Sequence, residues 1–460
     1  MKPASTDFYA EMTAGCTLLE HIVNGMKIKI ARYMLPALLA AGLVFCGPVA
    51  AADLVPATSP RVKTMGRWVP ADNGCLHAGR GAVIASVEFE GTGVQVQMFN
   101  DSQGDVWWLK KLDDGPMLRF KSHMGINDLY ADLPHGKHTL TMIRETEGMQ
   151  GVTTLRGFYF TDEKEVAGKG GTTADAPADV TVDAVMNHTE KAGAGIISDE
   201  NSNSKKSKAE QRRAEKRKAG KQSAIVSKKG KDVPDASPVQ QFPHRKSIEI
   251  IGDSVAAGAF IYPEGDYFQR ESGYLAFGPR LARMLNADWS CVAASGEGAV
   301  RNNEEKAPYT AKHAEDQIER AFYTQIEPRW NSDMDDPDLV ILAYGENDFN
   351  DAMHRPTDIY FKNQYKNLIR KLRKFRPDSV IFCVTPANIV TSRQAAPGMS
   401  GAVTELRAEG DANVFFIDLH AQGQLLDRSD FLDGVHPLAS GHEKMARYLL
   451  DQVRTILSWE

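Results

Sequence analysis

Four short clusters in the C-terminal half of this 460-residue chain contain the residue types that acyl transfer requires. That chemistry needs a nucleophile, a base, a carboxylate that orients the base, and hydrogen-bond donors for a developing oxyanion. Serine, glycine, asparagine, aspartate and histidine occur in clusters at residues 252–254, 294–298, 344–348 and 433–437. Each cluster alone is commonplace, so the prediction rests on all four together.

Ser254 is the predicted nucleophile, in a Gly-Asp-Ser sequence that follows a short β-branched run. A serine hydroxyl is a weak nucleophile at neutral pH, so His436 is predicted to take its proton as the hydroxyl attacks a carbonyl carbon. Asp433, three residues earlier in the chain, can accept a hydrogen bond from the other imidazole nitrogen and so select the tautomer. The alternative for His436 is a structural histidine at a His-Pro turn.

The predicted oxyanion donors are the backbone N–H groups of Ser254 and Gly296 and the side-chain amide of Asn347. A donor of this kind contributes about 3 kcal/mol in the transition state. Gly298 is the alternative to Gly296. Asp348 is interpreted as a residue that organises its loop.

A metal site is the competing interpretation of the acidic and histidine residues near the C-terminus. Asp433, His436 and His442 do not have the spacing of a recognised metal-binding motif. Neither of the two common glycine-rich phosphate-binding loops occurs in the sequence. The sequence therefore predicts an enzyme that uses no metal and no other cofactor.

The clusters are expected to lie at one edge of a parallel β-sheet. Apolar runs alternate with amphipathic helical patterns, which predicts an α/β domain over residues 244–460. The predicted strands lie at 247–251, 289–293, 339–343, 380–384 and 414–417. The first three clusters follow the first three strands, where sites in such sheets form.

Residues 53–162 are predicted to form a separate all-β domain, a sandwich or jelly roll. Alternating runs with turn signals between them predict strands at 82–89, 94–99, 106–112, 138–143 and 155–160. Trp68, Trp107 and Trp108 are interpreted as packing residues. A sugar-stacking platform is the alternative for Trp107 or Trp108.

Residues 163–243 join the two predicted domains and differ from both in composition. Within them, residues 204–231 contain twelve lysines and arginines but only two glutamates. Such a segment can bury too little apolar surface to offset the entropy lost on ordering, so a disordered linker is predicted. The alternative is a basic tether to anionic polymers or lipid headgroups.

The whole chain has a formal net charge of −6. The folded parts must then be acidic, and nucleic acid is not an expected partner.

Residues 1–52 are predicted to be a leader followed by an export signal, with Met26 as the biological start. A positively charged stretch precedes an apolar run at 34–46, and small residues close it, which predicts cleavage near Ala52. The run is short for a membrane span, so an uncleaved anchor is the alternative, together with a lipoprotein anchor at Cys46. Export predicts a periplasmic or secreted protein.

In their order and position, the four clusters resemble those of the SGNH (GDSL-type) hydrolase superfamily. Members of that superfamily use a serine, a glycine, an asparagine and a histidine from four blocks, which correspond here to Ser254, Gly296, Asn347 and His436. The resemblance covers residues 244–460. It implies a flavodoxin-like domain with a parallel central sheet.

A narrower resemblance is to carbohydrate esterase family two, in which a jelly-roll module precedes the SGNH domain. The residues that carry it lie at 91–93, 138–140, 144–147, 295–298 and 441–442. The long basic insert between the domains departs from that family's pattern, in which the two domains usually pack against each other. Some members of the family also lack the acidic partner of the histidine, which is present in this chain.

The resemblance implies an exported serine esterase that removes O-acetyl groups from carbohydrate through an acyl-enzyme. The expected partner is an acetylated polysaccharide or oligosaccharide, and no stable membrane insertion is expected once the signal is cleaved. Three alternatives are a lipid- or thioester-directed hydrolase, a sugar O-transacetylase, and a carbohydrate-binding protein with a vestigial hydrolase domain. The four intact clusters argue against the last of these.

Overall fold

The computed structural model describes residues 53–102, 104–163, 245–309, 314–330 and 336–459. The leader and signal peptide predicted for residues 1–52 lie outside these ranges. So does the disordered linker predicted for 163–243, apart from its first residue. Within the described ranges, no helix combines the length and the apolar content that crossing a membrane would need.

Residues 53–163 form the predicted β-sandwich, in which two antiparallel sheets enclose an apolar core. The strands are β1 (Val55–Pro56), β2 (Val62–Met65), β3 (Val69–Pro70), β4 (Leu76–Ala78), β5 (Ile84–Gly91), β6 (Gly93–Asn100), β7 (Trp107–Leu112), β8 (Leu118–Lys121), β9 (Gly125–Tyr130), β10 (Gly136–Arg144) and β11 (Thr153–Thr161). One sheet has the order β3-β4-β11-β6-β9 with β1 paired to β11, and the other has the order β2-β5-β10-β7-β8. The five predicted strands are present, with ends shifted by one or two residues.

Alternate side chains of the facing strands fill the sandwich core, as the two-residue period of a strand requires. The rings of Phe89 and Phe160 stack there with their centroids 4.8 Å apart. Trp68 and Trp108 are buried in the same core, which confirms their interpretation as packing residues. Trp107 is half-buried, with an arginine guanidinium 4.9 Å from the centre of its ring.

The described residues between 245 and 459 form the predicted α/β domain around a parallel sheet. Its strands are β12 (Ser247–Gly252), β13 (Asp288–Ala293), β14 (Leu339–Ala343), β15 (Val380–Val384) and β16 (Val414–Ile417). They have the order β13-β12-β14-β15-β16, and each neighbouring pair is parallel. This second-first-third-fourth-fifth order is the flavodoxin-like arrangement. The predicted fold class is therefore confirmed.

Helices cover both faces of the parallel sheet. They are α1 (Ser254–Ala257), α2 (Phe277–Met284), α3 (Ala314–Gln317), α4 (Glu346–Phe349), α5 (Asp358–Phe375), α6 (Ile389–Ala408) and α7 (Ala439–Leu457). Residues of α2 and α7 share one apolar cluster with the sheet, and residues of α5 and α6 share the other. Because both faces of the strands are buried, the strands are almost continuously apolar in sequence.

The sandwich packs directly against the α/β domain. Four sandwich residues, Ala82, Ile84, Leu109 and Ile143, belong to the same apolar cluster as α2 and α7. The indole N–H of Trp289 on β13 donates to the carbonyl oxygen of Ala82 at 2.9 Å. The two domains therefore share a core, although a long insert separates them in sequence.

A buried ion cluster lies at the same interface. Glu249, on the central strand β12, accepts a hydrogen bond from Arg67 of the sandwich at 2.8 Å. Arg376, which follows α5, donates two N–H groups to the same carboxylate at 2.9 and 3.0 Å. All three side chains are withdrawn from solvent. Buried charges of this kind depend on complete pairing, so the cluster ties the sandwich to the centre of the sheet.

Candidate active site

Ser254 lies where β12 ends and α1 begins, at the carboxyl edge of the parallel sheet. Asp253 caps the short helix, because its Oδ1 accepts a hydrogen bond from the N–H of Val255 at 3.0 Å. A Cβ atom at Gly252 would lie only 2.7 Å from the carbonyl oxygen of Ala343 on the neighbouring strand. The turn that presents the serine therefore needs glycine at this position.

The three residues predicted to act together are in hydrogen-bond contact. Nε2 of His436 lies 3.0 Å from Oγ of Ser254. Nδ1 of the same imidazole lies 2.7 Å from Oδ2 of Asp433. This is the geometry in which the imidazole can take the serine proton while the carboxylate holds the ring.

The loop at 433–436 is arranged to keep its aspartate ionised. Oδ1 of Asp433 accepts the N–H groups of Val435 and His436 at 2.9 and 2.8 Å. Partial burial acts to raise the pKa of Asp433, but hydrogen bonds from the imidazole and from these N–H groups lower it well below its usual value. Gly434 has φ of +88°, a left-handed conformation that lets the short turn fold back on itself.

Three loops around the serine leave adjacent strands at the same level. Gly252 at the end of β12 pairs with the last residue of β13 and the last residue of β14. From these positions Ser254 is two residues further along the chain, Gly296 is three and Asn347 is four. The order β13-β12-β14 thus places the predicted oxyanion donors on both sides of the predicted nucleophile.

The hydrogen bonds of the loop after β13 distinguish its two glycines. The N–H of Gly298 donates to Oδ1 of Asn302 at 3.0 Å and is therefore occupied. In the described part of the chain, no group accepts a hydrogen bond from the N–H of Gly296. Its carbonyl oxygen accepts from the N–H of Asn303 at 2.8 Å, and its φ is +77°. These contacts favour Gly296 over Gly298 as an oxyanion donor.

The amide of Asn347 is held in place by the same loop. Its Nδ2 donates to the carbonyl oxygen of Glu297 at 2.8 Å, which leaves the second N–H of the amide for another acceptor. The next residue, Asp348, accepts three backbone N–H groups of residues 299–301 at 2.8 to 3.0 Å. This matches the interpretation of Asp348 as a residue that organises the loop.

Three further carboxyl groups, those of Asp253, Glu297 and Glu346, are buried around the site. Burial raises the pKa of Asp253 to about 8, and the nearby charge of Glu346 adds to the shift. Burial also raises the pKa of Glu297 to about 8 and that of Glu346 to about 7. Hydroxyl groups of neighbouring side chains donate to both glutamates. Burial thus disfavours the charged form of these three groups, whereas the pKa of Asp433, beside His436, is lowered.

An aromatic side chain covers the imidazole. The ring of Phe260 stacks on that of His436, with centroids 4.8 Å apart and an angle of 30° between the planes. Phe260 has φ of +57°, which is unfavourable for a bulky residue and is typical of functional sites. A single phenylalanine belongs to no repeating pattern, so its place beside the imidazole could not be predicted from the sequence.

The described residues contain no group of three or more histidine, cysteine, aspartate or glutamate side chains placed to hold a metal ion. His442, considered above as a possible ligand, is buried in α7. Its Nδ1 accepts a hydrogen bond from the N–H of Phe277 at 3.1 Å. That nitrogen is therefore engaged in structure.

A polar cavity of about 390 Å³ adjoins the loop after β13. Its lining consists of Ser295, Gly296, Glu297, Asn302, Asn303, Asp316, Gln317, Arg320, Tyr323 and Thr324. Amide, hydroxyl and charged groups dominate this surface. It is chemically suited to a ligand rich in hydroxyl groups, such as a sugar.

Comparison with known families agrees with this arrangement. Residues 250–444 match the GDSL-like Lipase/Acylhydrolase family, and residues 64–168 match the Carbohydrate esterase 2 N-terminal family. The chain therefore contains a GDSL-like lipase/acylhydrolase domain preceded by a carbohydrate esterase 2 N-terminal domain. With both domains taken together, the chain is similar to family two carbohydrate esterases.

Two curated proteins with similar sequences are named as esterases. The chain is 28% identical over 231 residues to Cellulase/esterase CelE of Acetivibrio thermocellus, which covers 47% of this chain and 26% of that protein. It is 29% identical over 233 residues to an Acetylxylan esterase / glucomannan deacetylase of Cellvibrio japonicus, which covers 48% of this chain and 60% of that protein. The matches thus span less than two thirds of either relative.

Solved structures show the same two-domain fold. A family two carbohydrate esterase from Clostridium thermocellum in complex with cellohexaose superposes with a TM-score of 0.62 at 21% identity, covering 87% of this chain and 100% of that one. A family two carbohydrate esterase from Cellvibrio japonicus superposes with a TM-score of 0.62 at 20% identity, covering 89% and 99%. A salicylyl-acyltransferase from a tetracycline biosynthetic pathway has a TM-score of 0.51 at 14% identity, covering 89% and 99%.

Proposed function

We propose that the protein is an exported serine esterase that removes O-acetyl groups from carbohydrate through an acyl-enzyme. The observation that carries this proposal is the continuous chain of hydrogen bonds from Ser254 through His436 to Asp433. A serine, a histidine and an aspartate hydrogen-bonded in this order make the serine hydroxyl nucleophilic at neutral pH.

In the first half of the proposed reaction, Oγ of Ser254 attacks the acetyl carbonyl carbon as its proton passes to Nε2 of His436. The carbonyl oxygen becomes an oxyanion and accepts hydrogen bonds from the N–H groups of Ser254 and Gly296 and from the amide of Asn347. The imidazolium then protonates the departing sugar oxygen. The ester bond breaks, and the acetyl group stays on the serine.

In the second half, His436 removes a proton from water, which attacks the acetyl-serine carbonyl. The second oxyanion collapses, acetate leaves, and the proton on the imidazole returns to Oγ of Ser254. Asp433 keeps the imidazole in the required tautomer and stabilises its charged form in both halves. No step needs a metal or another cofactor.

The proposed substrate is an acetylated polysaccharide or oligosaccharide. One curated relative is named a cellulase/esterase, and another is named an acetylxylan esterase and glucomannan deacetylase. The polar cavity beside Gly296 supports a hydroxyl-rich ligand, whereas a lipid-directed hydrolase would need an apolar trough for a long acyl chain.

Export is proposed from the sequence of residues 1–52, where an apolar run follows a positively charged stretch. Expression from Met26 followed by sequencing of the mature N-terminus tests this part of the proposal. Cleavage near Ala52 is the expected result.

Acetate release from acetylated xylan, glucomannan and bacterial glycans tests the proposed substrate class, with Ser254→Ala as the inactive control. We expect the wild type to release acetate from at least one glycan and the variant to release none.

A second comparison uses p-nitrophenyl acetate and p-nitrophenyl octanoate. Faster hydrolysis of the octanoyl ester would favour the lipid-directed alternative, and acetyl transfer to an added sugar would favour the transacetylase.

A further inference from the structure

A segment of the sandwich reaches into the α/β domain next to the proposed active site. It begins at the end of β10 and contains two glutamates, Glu145 and Glu147, whose side chains are both buried. Two carboxyl groups are costly to bury, so each must have specific partners. The side chain of Glu147 contacts Tyr267 and Ser295 of the α/β domain. The side chain of Glu145 contacts Tyr262 and Ser272 of that domain and Arg119 of the sandwich.

The carboxylate of Glu147 holds the loop after β13. Its Oε2 accepts a hydrogen bond from the backbone N–H of Ser295 at 2.6 Å. Ser295 directly precedes Gly296, whose N–H is a proposed oxyanion donor. The peptide group that follows Gly296 is held as well, because the carbonyl oxygen of Gly296 accepts from the N–H of Asn303. The peptide group that carries the Gly296 N–H lies between these two restrained groups.

The hydrogen bonds on both sides of Gly296 limit the rotation of its N–H group. Gly296 has φ of +77°, and glycine has the widest conformational freedom of all residues. Without a fixed neighbour, its N–H could rotate away from the developing oxyanion. A donor contributes to catalysis when its direction is set before the reaction begins.

A second set of contacts connects Glu147 to the imidazole. The hydroxyl of Tyr267 lies 3.4 Å from Oε1 of Glu147. The ring of Tyr267 packs edge-on against Phe260 with centroids 5.1 Å apart, and Phe260 stacks on His436. One sandwich side chain therefore contacts the loop after β13 directly and the proposed base through two aromatic rings.

Glu147 is itself fixed by its surroundings. Its backbone N–H donates to Oε2 of Glu271 at 3.0 Å. Its carbonyl oxygen accepts from the guanidinium of Arg144, which is buried and donates to two further carbonyl oxygens. The guanidinium also supplies a positive charge near the buried carboxylates.

We propose that Glu147 is a positioning residue of the esterase, through which the sandwich completes the oxyanion site of the α/β domain. This inference rests on the proposed function. It assigns the sandwich a part in catalysis that does not depend on any binding of sugar by the sandwich itself.

The test compares three variants of the full chain: Glu147→Ala, Glu147→Gln and Glu145→Ala. Glu145 is the matched control, since it lies in the same segment and is equally buried. Its carboxylate contacts Tyr262, Ser272 and Arg119 but not the oxyanion loop. Kinetics on p-nitrophenyl acetate are measured below the unfolding temperature of every variant.

Glu147→Ala is expected to lower kcat by about 10- to 100-fold with little change in KM, because a misdirected donor acts on the transition state. Glu147→Gln keeps an oxygen that can accept the Ser295 N–H, so it is expected to restore most of that loss. Glu145→Ala is expected to lower the unfolding temperature while kcat stays near the wild-type value. Hydrogen exchange of residues 294–298 should accelerate in Glu147→Ala alone.

Equal losses of kcat in Glu147→Ala and Glu145→Ala would overturn the inference, because both would then reflect a general loosening of the interface. Unchanged kcat in folded Glu147→Ala would also overturn it. Failure of the proposed function is a separate outcome, because it would appear as a wild-type chain that hydrolyses no acetyl ester.

Discussion

The imidazole of His436 approaches Ser254 to 3.0 Å across a separation of 182 residues in the chain. Ser254 follows the first strand of the α/β domain, and the last loop before α7 places His436 at the same edge of the sheet. Only the complete α/β domain can bring the two groups together. The activity proposed here is therefore a property of the whole fold.

Asp433→Asn is expected to lower kcat/KM by about 10³- to 10⁴-fold on p-nitrophenyl acetate, because an amide in place of Oδ2 favours the wrong imidazole tautomer. The oxygen of asparagine can still accept the N–H groups of the loop, so the fold should be unchanged by circular dichroism. Activity close to that of the wild type would show that the serine and histidine suffice without an acidic partner.

Glu249→Gln is expected to destabilise the protein by about 3 kcal/mol or more, because Arg67 and Arg376 would lose their buried counter-charge. The free energy of unfolding from urea titration measures this. Glu88→Gln is the matched control, since Glu88 pairs with Lys63 at an exposed site and should change stability by about 0.5 kcal/mol or less. Similar effects of the two substitutions would show that the interface cluster is not a main source of stability.

The same cluster predicts a loss of stability in acid. Burial acts to raise the pKa of Glu249, but Arg67 and Arg376 lower it to about 2. The unfolded carboxyl titrates near its ordinary value of 4.5. The stabilisation is thus complete above that pH and falls as the pH decreases toward 2. Urea titrations across this range should show a steeper loss for the wild type than for Glu249→Gln.

His442 predicts a second pH dependence at higher pH. Burial lowers the pKa of this histidine to about 3 from an ordinary value of 6.5. The stabilisation that comes from burying the neutral imidazole is complete above the ordinary pKa of 6.5. As the pH falls below 6.5, the free energy of unfolding decreases by up to about 1.4 kcal/mol per pH unit.

The measurement for His442 is the urea midpoint of the wild type and of His442→Asn at several pH values. Asparagine does not titrate and can keep an acceptor for the N–H of Phe277. The stability of the wild type should therefore fall more steeply than that of the variant between about pH 6 and pH 4. Parallel curves would contradict the assignment, because every other titrating group is common to both proteins.

Most of the α/β domain could be predicted from the sequence, because buried parallel strands such as Leu339–Ala343 are short apolar runs with a clear beginning and end. The site was predictable for a related reason, since its residues follow those strands. In the sandwich, six of the eleven strands were not predicted, among them the two-residue strands β1 and β3. A pair of residues is too short to show an alternating pattern.

The contacts between the domains could not be predicted from sequence periodicity. Glu147 and Ser295 are 148 residues apart, and neither position belongs to a repeating pattern. The buried Glu249 interrupts an apolar strand and is explained only by the arginines that meet it there. The conformation of Phe260 is likewise set by tertiary packing around the imidazole.

Rapid-quench mass spectrometry with p-nitrophenyl acetate tests the central claim most directly. The proposed mechanism predicts a burst of p-nitrophenol equal to the enzyme concentration, if loss of acetate is slower than acylation, and an acetyl group on the peptide that contains Ser254. Ser254→Ala should give neither. An acetyl group on another residue, or turnover by the Ser254→Ala variant, would contradict the assignment of Ser254 as the nucleophile.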